Sequence, residues 1–382
     1  MKKLLVLSFT LLAVFMLTAC DQRPLLRVLN WGEYINDDVV AAFEEASGYR
    51  VIVDVTDSNE SFYAKIKSGT TAYDIVIPSD YMVEKMVDED MLIELDYELL
   101  PNRELVTYMD GVDSIYESMA ATTFTRTGET VDYTDYAVPY FWGSFGIIYN
   151  NRIAGLEEAL ETHGWAAYFD PSLTPAGVRR GMYDVPQFAY AAASFYLDQD
   201  INVLTPASLA AAEDAILQAD FEQWADDMLK RNIESNNLDM AFTYTGDYLD
   251  RLYIQLEEGK TLEEVQALFN IYIPETTMGF LDNLVIPKTS TAIERAHEFI
   301  NFLLDPEVVA LNSEVVGYAT ALVEAYDLIV AHEDSEDVWY RNWALANLTY
   351  YNKDATTTLI PLTTLSADDI DDINTMVDNV RS

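Results

Sequence analysis

The stretch VLNWGEYIND, residues 28–37, decides how this chain is read. A run over residues 25–29, apolar but for Arg27, stops at Trp31, Gly32, Glu33 and Tyr34, and an apolar pattern of helical spacing starts after Asn36 and Asp37. A strand that hands a tryptophan, a carboxylate and a tyrosine to the loop at its carboxyl end places them where open α/β sheets bind ligands. Aromatic faces attract a cation and the carboxylate pairs with it, so the loop suits a positively charged ligand. Trp31 also has a plainer reading as an apolar plug at the strand end; Glu33 and Tyr34 beside it favour the site.

Outward from this loop the chain alternates strand and helix. Residues 25–30 read as the first strand. A helix capped by Asn36 or Asp37 carries Val39, Val40 and Phe43 at helical spacing and ends at Ser47-Gly48. Residues 49–55 are β-branched and alternating, a second strand; Ser58-Asn59-Glu60 opens a helix that runs to Gly69; residues 74–78 form a short buried strand, followed by Ser79, Asp80, Tyr81 and a helix to about residue 88. Strands separated by single helices predict a parallel sheet with right-handed crossovers. A second lobe begins near Val138, where VPYFWGSFGIIYN (138–150) crosses over. Helices are predicted over 187–197, 206–218, 221–230, 291–304 and 307–316, a strand over 240–244 with a helix from Gly246-Asp247, and a returning strand over 280–287. The acidic tail SADDIDDINTMVDNV carries Ile370, Ile373 and Val377 at helical spacing and lacks the central glycine of a calcium loop.

Composition narrows the classes. With 382 residues and 50% hydrophobic content the chain has enough apolar material for two domains and is not of disordered type. A formal charge of −43 argues against nucleic acid, which it would repel. Most of that charge reads as solvated acidic surface. Lys2 and Lys3 precede an uncharged apolar run over residues 4–17, too short to span a membrane and suited to a signal peptide. The run ends Leu17-Thr18-Ala19-Cys20, and Cys20 is the only cysteine, so no disulfide forms within the chain.

Enzyme patterns are weak. His163, His297 and His332 lack the second histidine of a zinc-protease helix, Gly143-Ser144 misses the nucleophile-elbow spacing, and no Gly-rich phosphate loop with a lysine occurs. A hydrolase working with carboxylates alone stays open as an alternative.

Several blocks together carry a resemblance: the NWGEY loop, SNESFYAKIKSG, YDIVIPSDYMVEKM, VPYFWGSFGIIYN, FLDNLVIP and FINFLLDPEVVALNSEVVGYATA, spread over about residues 25–325. They resemble the spermidine/putrescine-binding proteins of bacterial ABC importers, and LTAC resembles a lipoprotein lipobox. The resemblance implies a mature chain acylated at Cys20 and an α/β, two-lobed clamshell of the periplasmic-binding-protein type (type II). Each lobe is then a sheet flanked by helices, with the ligand in the cleft. The expected division is a signal peptide over 1–19, a tether over 20–24, a first lobe of 25–137 with 282–325, and a second of 138–281 with 326–382.

The resemblance also implies the site. Trp31, Glu33 and Tyr34 come from the first loop, Ser79 and Tyr81 from the loop after the third strand, and Asp184 and Gln187 from the second lobe. Tyr244 and Phe280 stand where tryptophans are usual, Asp247 follows, Asp282 matches the acid that fixes an amine end, and Tyr318 is a late cleft tyrosine. Glu33, Asp184, Asp247 and Asp282 form the expected carboxylate ruler. Asp184 and Asp247 also read as ordinary helix caps, and Ser79 as the cap of the helix after it. Gly32 replaces a hydroxyl residue and Gln187 an acid, which leaves putrescine and spermidine undivided. The implied partners are a polyamine, an ABC permease and its ATPase on separate chains, and the membrane through Cys20. No cofactor and no metal is expected, and the chain is expected to act as a monomer on the outer face of the cell membrane or in the periplasm. A ferric-iron site of the same fold, using Tyr350-Tyr351, is the rival within binding proteins.

Overall fold

A computed structural model describes residues 23–119, 122–123, 130–226, 228–331, 357–363 and 365–381. Cys20, His332 and the Tyr350-Tyr351 pair lie outside them.

The first strand, β1 (Leu25–Trp31), is fully paired in parallel with β2 (Arg50–Thr56) and at Val28 and Leu29 with β3 (Ile75–Val76). The helix between β1 and β2 is Asp37–Ser47: the Asn36 side chain accepts from the Asp38 N–H at 2.9 Å, and Gly48 ends it at φ 72°. Ser58 caps the helix Asn59–Ser68 in the same way, and Gly69 closes it at φ 61°. These caps are the local reason the chain turns where the sequence says it should.

A small pair, β4 (Thr122–Thr123) and β5 (Thr130–Val131), precedes the long strand β6 (Ala137–Tyr149), every residue of which is buried. Then follow β7 (Arg180–Tyr183), β8 (Gln223–Ala225), β9 (Met240–Tyr244), β10 (Asn270–Tyr272), the second long strand β11 (Thr276–Val285), β12 (Ala319–Thr320) and β13 (Thr358–Pro361). The main sheet runs β2-β1-β3-β11-β6-β9-β7-β8, with β10 and β12 on β6 and β13 on β11. Its two ends are parallel, as predicted, but its middle is not: β11 lies antiparallel to β3 and β6, and β6 antiparallel to β9. The difference follows from the two crossings. A strand that carries the chain out of the first lobe and one that brings it back run in opposite senses when they pair.

These two strands belong to both lobes. Val138, Tyr140 and Phe141 of β6 and Leu284 of β11 pack with Leu26, Val28, Phe43 and Phe299. Phe145, Ile147 and Tyr149 of β6 and Met278 of β11 pack with Tyr168, Tyr190 and Ile216 instead. The fold is the two-lobed α/β clamshell, and the cleft opens across the midpoints of β6 and β11.

One helix was misread. Residues 221–230, predicted as a single helix, form the edge strand β8 and a separate helix Met228–Glu234. Three residues are too few to show a strand period, and pairing of Gly181–Tyr183 with Gln223–Ala225 overrides local helix propensity. The predicted strand over 74–78 shortens to Ile75–Val76, and the tail helix is Ala367–Arg381, burying Ile373, Met376 and Val377. His297 is structural: its Nδ1 bonds the Ile293 carbonyl and its Nε2 accepts the Asp96 N–H.

Candidate ligand-binding cleft

The cleft between the lobes is about 1180 Å³. Its centre is Asp282, on β11 at the lobe crossing and only 5% exposed. Tyr34 donates its hydroxyl to Oδ2 at 2.7 Å and Ser79 donates to Oδ1 at 2.7 Å. Burial raises the Asp282 pKa from 3.8 to about 6, against the lowering effect of these two hydrogen bonds. Burial and the charge of Asp282 push the Tyr34 phenol well above its ordinary value, so it stays a proton donor. The result is a desolvated carboxylate, oriented from two sides and facing a cleft.

The geometry of β11 and β6 supplies the aim. Phe141 faces Asp282 and Pro139 faces Asn283, so the ladder skips Tyr140, a bulge beside Asp282. Tyr140 uses its hydroxyl to hold the Tyr34 carbonyl at 2.9 Å, and Asn312 donates to that hydroxyl at 2.8 Å. Asn30 also donates to the Tyr34 carbonyl, at 3.2 Å, and Asn312 accepts the Asn36 N–H at 2.8 Å. The NWGEY loop is thus fastened from β1, β6 and the helix Pro306–Val316. Glu33 sits exposed at its lip with φ 54°, a left-handed conformation uncommon for a glutamate.

The two motifs SNE and PSDY meet here. Asn59 donates to the Ser79 hydroxyl at 3.1 Å and accepts the Ser79 N–H at 3.0 Å. Ser79 occupies the N-cap position of the helix Asp80–Asp88 but makes no capping hydrogen bond; its hydroxyl is committed to Asp282. The cap reading of Ser79 is therefore replaced. Asp80, buried behind it, accepts the N–H groups of Tyr81 and Leu281 at 2.7 and 3.2 Å, and burial raises its pKa strongly.

Aromatic rings line the cleft in an edge-to-face chain: Tyr34 to Tyr318 at 5.1 Å, Tyr318 to Phe280 at 6.3 Å, and Phe280 to Tyr244 at 5.4 Å. Phe145 lies 4.2 Å from Tyr244 and supports it. The Phe280 ring rests on bare backbone: a Cβ at Gly143 would stand 2.7 Å from two of its carbons, and a Cβ at Gly246 would stand 2.7 Å from the Tyr318 ring. Trp31 packs edge-on against Phe62 at 4.8 Å, and Tyr81 reaches Glu60 at 3.4 Å. A Cβ at Gly32 would meet nothing within 4 Å, so a hydroxyl side chain there is excluded by no steric demand.

Trp31, Glu33, Tyr34, Ser79, Tyr81, Gln187, Tyr244, Asp247, Phe280, Asp282 and Tyr318 all line this cleft. Asp184 does not. Its side chain is 45% exposed and pairs with Arg381 of the tail helix. Asp247 lines the cleft with its Oδ1 already engaged. Lys230, only 8% exposed, binds it at 2.9 Å and reaches Asp250 at 3.2 Å. Four residues that shape the site went unassigned in the sequence reading: Asn59, Tyr140, Asn312 and Lys230. Asn59, Tyr140 and Asn312 stand inside the motif blocks quoted above, whereas Lys230 lies in none of them.

A cleft bridged by two crossing strands, with a buried charged anchor and aromatic walls, defines a solute-binding receptor. A profile of the bacterial extracellular solute-binding protein family matches residues 38–347, most of the chain, and the chain belongs to that family. The putrescine-binding periplasmic protein SpuD of Pseudomonas aeruginosa is 29% identical over 342 residues, 86% of each chain. The putrescine-binding periplasmic protein PotF of Escherichia coli is 27% identical over 330 residues, 84% of each. Among solved structures, the spermidine/putrescine substrate-binding protein PotD of Streptococcus pneumoniae superposes with a TM-score of 0.71 at 24% identity, covering 94% of this chain and 98% of its own. A putative spermidine/putrescine ABC transporter protein of Listeria monocytogenes is 29% identical, with a TM-score of 0.66 and the same coverage. Among the described residues, no helix is long and apolar enough to cross a membrane, and no group of three or more His, Cys, Asp or Glu is placed to hold a metal ion.

Proposed function

We propose that this chain captures a polyamine, putrescine or spermidine, outside the cytoplasm and delivers it to the permease of an ABC importer. The observation that carries the reading is Asp282: a buried carboxylate, ionised above about pH 6 and held by two hydroxyl donors, asks for a cationic group. One ammonium binds there by charge-assisted hydrogen bonds worth roughly 1.5–3 kcal/mol each. The methylene chain lies along Tyr318, Phe280 and Tyr244, whose faces add cation–π attraction of about 0.5–2 kcal/mol each. The relatives named for putrescine support this ligand class. The cleft exceeds the roughly 300–1,000 Å³ usual for a ligand pocket, so the lobes close by a hinge in β6 and β11 when the ligand arrives. Acylation of Cys20 after signal removal anchors the monomer at the membrane surface, beside the permease and its ATPase.

The test is a thermal-shift screen of the chain starting after Cys20 against polyamines, amino acids and metal ions. Putrescine or spermidine at a hundred times its dissociation constant stabilises the bound state by about 2.7 kcal/mol, and the melting temperature rises with ligand concentration. No shift with any polyamine at millimolar levels removes the reading, and a shift with ferric ion alone replaces it with iron capture.

A prediction follows from the glycine under Phe280. Gly143→Ala drives the ring off its seat and weakens polyamine binding about tenfold, the size of one aromatic contact. Titration calorimetry reads it, and unchanged affinity shows that the Phe280 ring does not touch the ligand.

A further inference from the structure

The acids of the cleft are unevenly matched. On the first-lobe side, among the described residues, Asp282 has Tyr34 and Ser79 as its side-chain hydrogen-bond partners and no basic side chain. On the second-lobe side the buried ammonium of Lys230 lies between Asp247, at 2.9 Å and 5% exposed, and Asp250, at 3.2 Å. All four charged groups line the same cleft. The two ends are close: Tyr34, which holds Asp282, lies 5.1 Å from the Tyr318 ring, and that ring lies against Gly246, the neighbour of Asp247.

Resting on the polyamine reading above, we propose that Lys230 is a specificity-determining residue, a resident ammonium that restricts the site to diamines and rejects triamines. The place of the Lys230 ammonium, between the two acids at that end, decides it. Asp282 contributes −1 at one end, and at the other Lys230 cancels one of the two charges of Asp247 and Asp250 and leaves −1, matching a diamine held between these two ends; the other charged lining residues Glu33, Asp57, Glu60 and Arg231 are exposed and screened by water, and Lys65 is half-buried. Asp80, 3% exposed and set behind Ser79, accepts a backbone N–H on each oxygen and is not one of the two ends. Gln187, on the second-lobe wall, is neutral. A triamine brings a third ammonium toward an acid pair that already holds one. Its desolvated charge then has no partner and stands beside a like charge, an arrangement that lowers affinity for that ligand alone.

The experiment is calorimetric titration of putrescine and spermidine into the wild type, Lys230→Gln and Asp250→Asn, in the chain starting after Cys20. The wild type binds putrescine at least tenfold tighter than spermidine. Lys230→Gln, which restores a second full negative charge at that end, shrinks this ratio at least tenfold, mainly by tightening spermidine. Asp250→Asn alters a half-exposed side chain and so keeps the proposal testable if Lys230→Gln does not fold. It cancels the charge of the trio and weakens putrescine about tenfold. A folded Lys230→Gln with an unchanged ratio overturns the proposal, as does undiminished putrescine binding by Asp250→Asn, or a wild type that prefers spermidine. Each of these leaves the polyamine reading intact, whereas a wild type that binds neither amine fells that reading itself.

Discussion

Asp282→Asn lowers polyamine affinity by about two to three orders of magnitude while the protein melts at or above the wild-type temperature. The loss is large because the bound ammonium, already stripped of water, is left without its carboxylate; breaking such a buried pair costs about 3–5 kcal/mol. The stability moves the other way. Folding lifts the Asp282 pKa from 3.8 to about 6, so at neutral pH the empty site holds a buried charge that opposes folding by about 3 kcal/mol. Asparagine keeps the shape and removes that charge. Binding calorimetry and thermal melts of the same sample separate the two effects. An affinity within threefold of wild type takes Asp282 out of the site, and a cooperative melt far below wild type shows that it serves the fold instead.

The second large effect is with pH. An ammonium ligand binds the ionised carboxylate, so polyamine affinity is level above about pH 6 and falls tenfold per unit below it, about a hundredfold by pH 4. The sign for the unliganded protein is opposite. Asp282 takes up a proton more readily folded than unfolded, so its share of the stability improves as pH falls through about 6 and levels off near 4. Comparing wild type with Asp282→Asn isolates that share from other titrating groups such as Asp239, whose pKa burial would raise but the Arg179 hydrogen bonds, prevailing, lower. The stability gap in favour of the variant narrows over this window. A flat affinity profile between pH 7.5 and 4.5 would show that no buried carboxylate binds the ligand.

How much of this was legible in the sequence depended on whether the governing interaction was local. The NWGEY loop could be read because its boundaries are set by neighbours: an apolar run before it and the Asn36 cap after it. Asp282 could be read because an acid within FLDNLVIP has no apolar reason to be there. Asp184 was misplaced because its partner, Arg381, lies 197 residues further on, beyond the reach of any local pattern. Lys230 was missed for a related reason: it read as one position of an amphipathic helix, whereas the chain breaks into β8 and a short helix that turns it onto Asp247. The hydroxyl of Ser79 had two plausible employments, and only the arrival of Asp282 from the far side of the sequence decides between them.

That arrangement, one buried carboxylate with aromatic walls awaiting an ammonium, is tested most directly by titrating putrescine into the chain starting after Cys20 at pH 7.5, with heat as the readout. The account predicts saturable binding of one putrescine per chain, lost in Asp282→Asn. No binding heat at millimolar putrescine, or equal binding by wild type and variant, would contradict it.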